Sequence, residues 1–199
     1  MKANMSKAEK TRQFIVEKTA PIFNTKGYAG TSVSDMTEAT GLTKGSIYGN
    51  FANKDEVALA SFDYNLRKLK TYINEEEDKA ATIKEKLMVR TRIFDEGRSR
   101  LAYPLGGCPI LNTATEADDT HPLLKEKVVE AIDAWKDRTI KFVREGIKKK
   151  EIAPDVNAEQ VALTLISMIQ GAIMVTKATG KLQYGRSAME VARKYIEAL

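Results

Sequence analysis

Between Ser32 and Phe51 the apolar positions fall into two very short helical runs. Val33, Met36 and Ala39 recur at helical spacing behind Ser32, a capping residue, with Asp35 three residues on in the capping-box position. Gly41 stops this run, Leu42 is the apolar residue of the turn, and Thr43 is placed to cap a second run with Ile47, Tyr48 and Phe51 on its inner side. Neither run is long enough to be a stable helix alone. The pattern predicts a helix-turn-helix held by a longer helix on each side.

Upstream, Ser6 to Lys26 reads as the first long helix. Phe14, Ile15, Thr19, Ala20, Ile22 and Phe23 form its stripe, Gly27 ends it, and Pro21 predicts either a bend near Glu17 or a somewhat different helix boundary. Downstream, the Asn53 and Glu56 capping box opens a helix from Lys54 to about Asp78, and a further helix runs from Thr82 to about Arg100. The Pro- and Gly-rich stretch after Arg100 leads into a short helix from Pro109 to Ala117. Pro122 begins the next helix, which ends in the lysines at 148 to 150.

Asn157 then caps an apolar helix of about sixteen residues between Val161 and Thr176. Its length, with Thr164, Ser167 and Gln170 inside it, falls short of the ~20 apolar residues of a membrane span. A helix apolar nearly all round must be covered all round, so one face is expected to meet a second subunit. The last helix, about Gly185 to Ala198, is its natural companion, and homodimerisation through these two C-terminal helices is the expectation. The fold class is all-α with about nine helices: a three-helix helix-turn-helix domain over residues 1–53 and a helical domain over 54–199.

The outer side of the second short run carries Thr43, Lys44, Gly45, Ser46, Tyr48, Gly49 and Asn50, small or hydrogen-bonding groups that suit a major groove. Lys44, Tyr48 and Lys54 are expected on the phosphate backbone, with a hydrogen bond from Thr31 or Ser32, and Thr43, Ser46 and Asn50 near base edges. Charge agrees: of the net +5, residues 1–54 supply +4, from eight basic and four acidic side chains. A single cysteine and a single histidine, His121, leave no intrachain disulfide and no zinc site of the usual kinds within the chain, no phosphate-cradling glycine loop is found, and no cofactor is expected. An enzyme would need acid and base groups that are not found in the helical body; a protein-interaction adaptor would show no salt-dependent affinity for DNA. The polar N-terminus MKANMSKAEKTRQ lacks a leader pattern, so a cytoplasmic location with no membrane partner is the expectation.

The stretch FNTKGYAGTSVSDMTEATGLTKGSIYGNFANKDEV resembles the TetR family of one-component transcriptional repressors, through KGY, TSV, GLTKGSIY and NFANKDE. Gly49 and Asn50 depart from the family, many of whose members carry a larger aromatic or His pair there. The resemblance implies a double-stranded operator as partner, and a small-molecule effector that binds the C-terminal domain and changes the spacing of the two heads. Candidate effector contacts are Phe62, Leu66, Leu69, Met88, Phe94, Tyr103, Trp135, Met168 and Met174. The segment GGCPILNTATE resembles the entry to the sixth helix in TetR relatives that sense electrophiles or oxidants. Cys108 is therefore a candidate sensor thiol, at the N-cap of a helix beginning at Pro109 and near Arg98 and Arg100 in sequence.

Overall fold

The computed structural model describes residues 5–92 and 105–199. Among these residues there is no strand, and the helices are α1 (Lys7–Gly30), α2 (Val33–Thr40), α3 (Lys44–Tyr48), α4 (Lys54–Asp78), α5 (Ile83–Arg92), α6 (Pro109–Ala117), α7 (Pro122–Lys148), α8 (Ala158–Thr179) and α9 (Leu182–Glu197). The chain forms two compact units. The first holds the described residues up to Lys68 and those from Leu105 to Lys127; the second holds Leu69 to Arg92 and Val128 to Leu199. The division falls inside α4 and α7 rather than at residue 53, because the opening turns of α4, and all of α6, pack with α1.

In the first unit Ile15, Val16, Met36, Ile47, Phe51 and Val57 form one buried cluster, drawn from α1, α2, α3, the turn after it and α4. Polar groups within it are satisfied: Thr19 Oγ1 donates to Ile15 O and lies 3.2 Å from Ser61 Oγ, and Asn65 Nδ2 donates to Ala20 O at 2.8 Å. Helical dihedrals persist through Pro21, and the non-helical residue within α1 is Gly27, with φ 75° and ψ 178°. Glu17 lies on the exposed side, where solvent can satisfy the carbonyl that proline leaves without a donor. Phe14, expected in the apolar stripe, is 38% exposed with Lys18 over its ring, and Val16 takes its place in the core.

In the second unit Ile83, Leu87, Met88, Phe142, Val143, Val161, Leu165, Ala192 and Ile196 build the main cluster, and Leu69, Ile73 and Val89 a smaller one. Asn157 caps α8 by accepting from Glu159 N and Gln160 N, both at 3.1 Å. α9 starts at Leu182, three residues before the expected Gly185, and α8 has 22 residues rather than about sixteen. With 22 residues and a mean hydropathy of 1.6, α8 is long and apolar enough to cross a membrane, so length alone does not exclude a span. Its packing against α9 and its place in the cluster assign it to a protein core instead. Yet only 33% of its apolar window is buried.

Candidate nucleic-acid interface

The helix-turn-helix is fixed by short-range chemistry. Ser32 Oγ accepts from Asp35 N while the Asp35 carboxylate accepts from Ser32 N, closing the capping box, and Lys26 Nζ donates to Asp35 at 2.6 Å. These bonds, Lys26 first, hold the Asp35 carboxyl far below the ordinary carboxylate range. Gly41 ends α2 with φ 66°, and Leu42 N donates to Thr40 Oγ1 across the turn. Thr43 Oγ1 then accepts from Ser46 N at 3.1 Å, starting α3.

Packing decides which face of α3 is presented. Ile47 is fully buried and Phe51 is 2% exposed, which leaves Thr43, Lys44 and Gly45 exposed and Ser46, Tyr48 and Asn50 half-buried. Asn50 Nδ2 donates back to Ser46 O at 2.9 Å, so part of its amide is already used within α3. Lys54 stands 4.3 Å from the centre of the Tyr28 ring. Ser32 is exposed, but Thr31 is fully buried and its hydroxyl donates to Gly27 O. Thr31 therefore belongs to the turn, and of the pair only Ser32 offers a side chain at the surface.

Three braces around this module escaped the sequence reading. Arg12 of α1 donates to Asn50 O and to Glu56, with its guanidinium 4.0 Å from the centre of the Phe51 ring; Glu56 also accepts from Ala52 N. These bonds hold the Glu56 carboxyl below its usual value. Glu116 of α6 accepts from Tyr28 N at 2.7 Å and from Ala29 N at 2.8 Å, the two amides that the break at Gly27 turns outward. A Cβ at Gly27 would lie 2.4 Å from that carboxylate and push it off the two amides, while the positive φ is what favours glycine here. Asn112 Nδ2 donates to Asn24 O and Gly106 O, while Asn24 Nδ2 donates to Leu105 O and Gly107 O, stitching the entry of α6 to α1. Around Tyr28, its hydroxyl donates to Asp55 and His121 packs edge-on at 4.5 Å. The Asp55 bond pushes the Tyr28 hydroxyl up to about 12. His121 Nδ1 accepts from Leu124 N and so caps α7.

The candidate effector residues divide. Phe62 lines a small cavity with Phe23, Asn24 and Asn112 in the first unit, where Leu66 is buried as well. In the second unit Trp135 lines a cleft with Arg90, Arg138 and Phe142, whereas Leu69 and Met88 are core packing and Met168 lies against the main cluster. Met174 is 52% exposed on α8 and lines neither cavity. Phe94, Tyr103, Arg98 and Arg100 lie outside the described residues. Cys108 does stand at the N-cap of α6, but it is 3% exposed and makes no side-chain cap bond, which fits a buried apolar residue better than a reagent-accessible thiol. Among the described residues no group of acidic, His or Cys side chains is arranged to hold a metal.

Two family models match the chain: "Bacterial regulatory proteins, tetR family" over residues 15–60, and "Tetracyclin repressor-like, C-terminal domain" over residues 91–192. A TetR-family transcriptional regulator from Cytophaga hutchinsonii shares 44% identity over 98% of both chains, with a TM-score of 0.96. A TetR transcriptional regulator from Chloroflexus aurantiacus shares 37% over 96% of both chains, with a TM-score of 0.90. The HTH-type transcriptional repressor DhaR of a Mycobacterium species is 26% identical over 168 residues, 83% of this chain and 82% of its own. The chain belongs to the TetR family of DNA-binding transcriptional regulators.

Proposed function

We propose that this regulator is a cytoplasmic repressor that binds a two-fold symmetric operator as a homodimer and leaves it when a small molecule occupies the second unit. The observation that carries the DNA-binding half is the exposed tip of α3: Thr43, Lys44 and Gly45 lie open while Ile47 and Phe51 anchor the helix from behind. Lys44 and Lys54 meet phosphates, Ser32 adds a hydrogen bond from the start of α2, and Thr43 and Ser46 are nearest to base edges. Asn50, with one amide hydrogen on Ser46 O, keeps its second amide hydrogen and its carbonyl oxygen for a base edge. The repressor direction is supported by DhaR, which is named a repressor.

Dimerisation is supported by uncovered apolar surface. On α8, Leu163, Met174 and Val175 are 47%, 52% and 37% exposed; on α9, Tyr184 and Val191 are 45% and 55% exposed. Leu163, Ser167, Gln170 and Met174 follow helical spacing along one face, as do Tyr184, Ala188 and Val191. A partner copy covering these stripes would fix the two α3 helices about 34 Å apart, one turn of the duplex. α4 is one continuous helix of 25 residues, and it is the element that would carry an effector's influence to the head. Catalysis has no part in this reading.

The test is a footprint on DNA from upstream of the protein's own gene, paired with a reporter driven by that region. Two protected half-sites one helical turn apart, and a rise in reporter activity on deleting the regulator, are expected. A single unsymmetrical footprint, or a fall in reporter activity, contradicts the proposal.

A further inference from the structure

We propose that Tyr28 is a positioning residue for DNA binding, its ring holding the Lys54 ammonium ready for a phosphate. The inference deepens the reading of Lys54 given above and rests on it.

Lys54 is the first residue of α4, where a cation opposes the helix dipole, so its charge does nothing for the helix it opens. Two carboxylates follow it in the chain, and both are engaged elsewhere. Asp55 Oδ1 accepts from the Tyr28 hydroxyl and lies 3.7 Å from His121 Nε2, while Glu56 accepts from Arg12 and from Ala52 N. Among the described residues Lys54 pairs with no carboxylate. Its ammonium lies instead 4.3 Å from the centre of the Tyr28 ring. A ring face attracts a cation without neutralising it, so the full charge stays available to an anion.

The ring that carries this charge is itself immobilised, by contacts drawn from α4, α6 and the start of α7. Tyr28 N donates to the Glu116 carboxylate at 2.7 Å, the hydroxyl donates to Asp55, and His121 meets the ring edge-on with centroids 4.5 Å apart. His121 is held in turn by the bond that Leu124 N donates to its Nδ1 at 3.2 Å. The Tyr28 hydroxyl, pushed up to about 12 chiefly by its bond to Asp55, stays protonated at neutral pH, so the ring remains an uncharged platform. Tyr48 of α3 also acts on that hydroxyl, which puts the platform close to the helix presented to DNA.

A lysine moving freely in solvent gives up much rotamer freedom when it docks on a phosphate. Held over a fixed ring, Lys54 has surrendered part of that freedom before DNA arrives. The ring occupies one side of the ammonium, and its three N–H donors leave others for phosphate oxygens. Tyr28 thus acts through Lys54 and needs no contact with DNA of its own.

The full-length protein is titrated by fluorescence anisotropy against operator and scrambled duplexes across a salt series. Lys54→Ala is expected to make the slope of log K against log salt shallower by about 2, about one for each subunit. Tyr28→Leu is expected to raise Kd about tenfold on both duplexes in the unaltered background, and by less than about twofold in the Lys54→Ala background. Phenylalanine at 28, and then its difluoro and trifluoro analogues, withdraw electron density from the ring face at almost constant size, so Kd should rise stepwise along this series. Should Tyr28→Leu lose helicity by circular dichroism, the fluorinated series serves in its place. A Kd that rises equally in both backgrounds, binding that tightens when the ring is removed, or a fluorinated series without a trend overturns the proposal. A slope that Lys54→Ala leaves unchanged removes the phosphate contact itself, and the proposal with it.

Discussion

Asp35 and Glu56 show how much of the DNA-binding module depends on single carboxylates. Asp35 is held ionised by Lys26 and by the Ser32 backbone and hydroxyl; Glu56 by Ala52 N and then Arg12. Both carboxyls are depressed in the folded state, so their contribution is complete above the ordinary carboxylate pKa values and is lost as pH falls through the folded ones. Glu9, Glu85 and Glu145 are depressed as well and add to the same acid-side loss. Thermal melting is expected to stay level between about pH 7 and pH 5 and to fall steeply below about pH 4. Asp35→Asn combined with Glu56→Gln should lower the melting temperature near neutrality and flatten the acid slope. An unchanged slope in the double variant would show that these caps contribute nothing.

At the scale of elements, the braces on α3 and on the turn before α2 separate what sequence could reveal from what it could not. The caps Ser32, Thr43, Asn53 and Asn157 were legible because capping acts over three or four residues and leaves a fixed spacing. The same periodicity identified Ile47 and Phe51 as the anchored side of α3. Glu116 was not legible. Its partners are backbone amides 88 and 87 residues away, released by one left-handed glycine, and a side-chain-to-backbone bond of that kind leaves no pattern. The Arg12 bond to Asn50 O, across 38 residues, was hidden for the same reason. The effector candidates failed more widely, because large apolar residues at helical spacing make core and cavity alike: Leu69 and Met88 are core, and Met174 is surface. Glu116→Ala removes two charge-assisted bonds and is expected to cost about 1–3 kcal/mol, since the Tyr28 and Ala29 amides lose their acceptor. Chemical denaturation followed by circular dichroism checks this. A loss below about 0.5 kcal/mol would mean that solvent replaces the carboxylate.

For the whole molecule, the uncovered stripes of α8 and α9 bear on assembly. Val175 is 37% exposed within the chain, whereas Ile173 is 6% exposed, so aspartate at 175 tests the interface and aspartate at 173 would disrupt the subunit's own core. Val175→Asp is expected to weaken the dimer more than ~100-fold, equivalent to about 3 kcal/mol for a carboxylate left unpaired between subunits. Light scattering at micromolar concentration should then show a folded monomer. A dimer as tight as the unaltered protein would place the interface elsewhere.

The measurement closest to the central claim is operator affinity as a function of salt. The full-length protein is titrated, by fluorescence anisotropy, against a labelled duplex carrying the footprinted site and against a scrambled duplex. If two copies of the exposed α3 tip neutralise phosphates, log K falls linearly with log salt, and Lys44→Ala makes the slope shallower by about 2, about one for each subunit, on both duplexes alike. Unaltered protein should also prefer the operator to the scrambled duplex by at least ~1,000-fold. Binding that ignores salt, or a slope that Lys44→Ala leaves unchanged, would contradict the account.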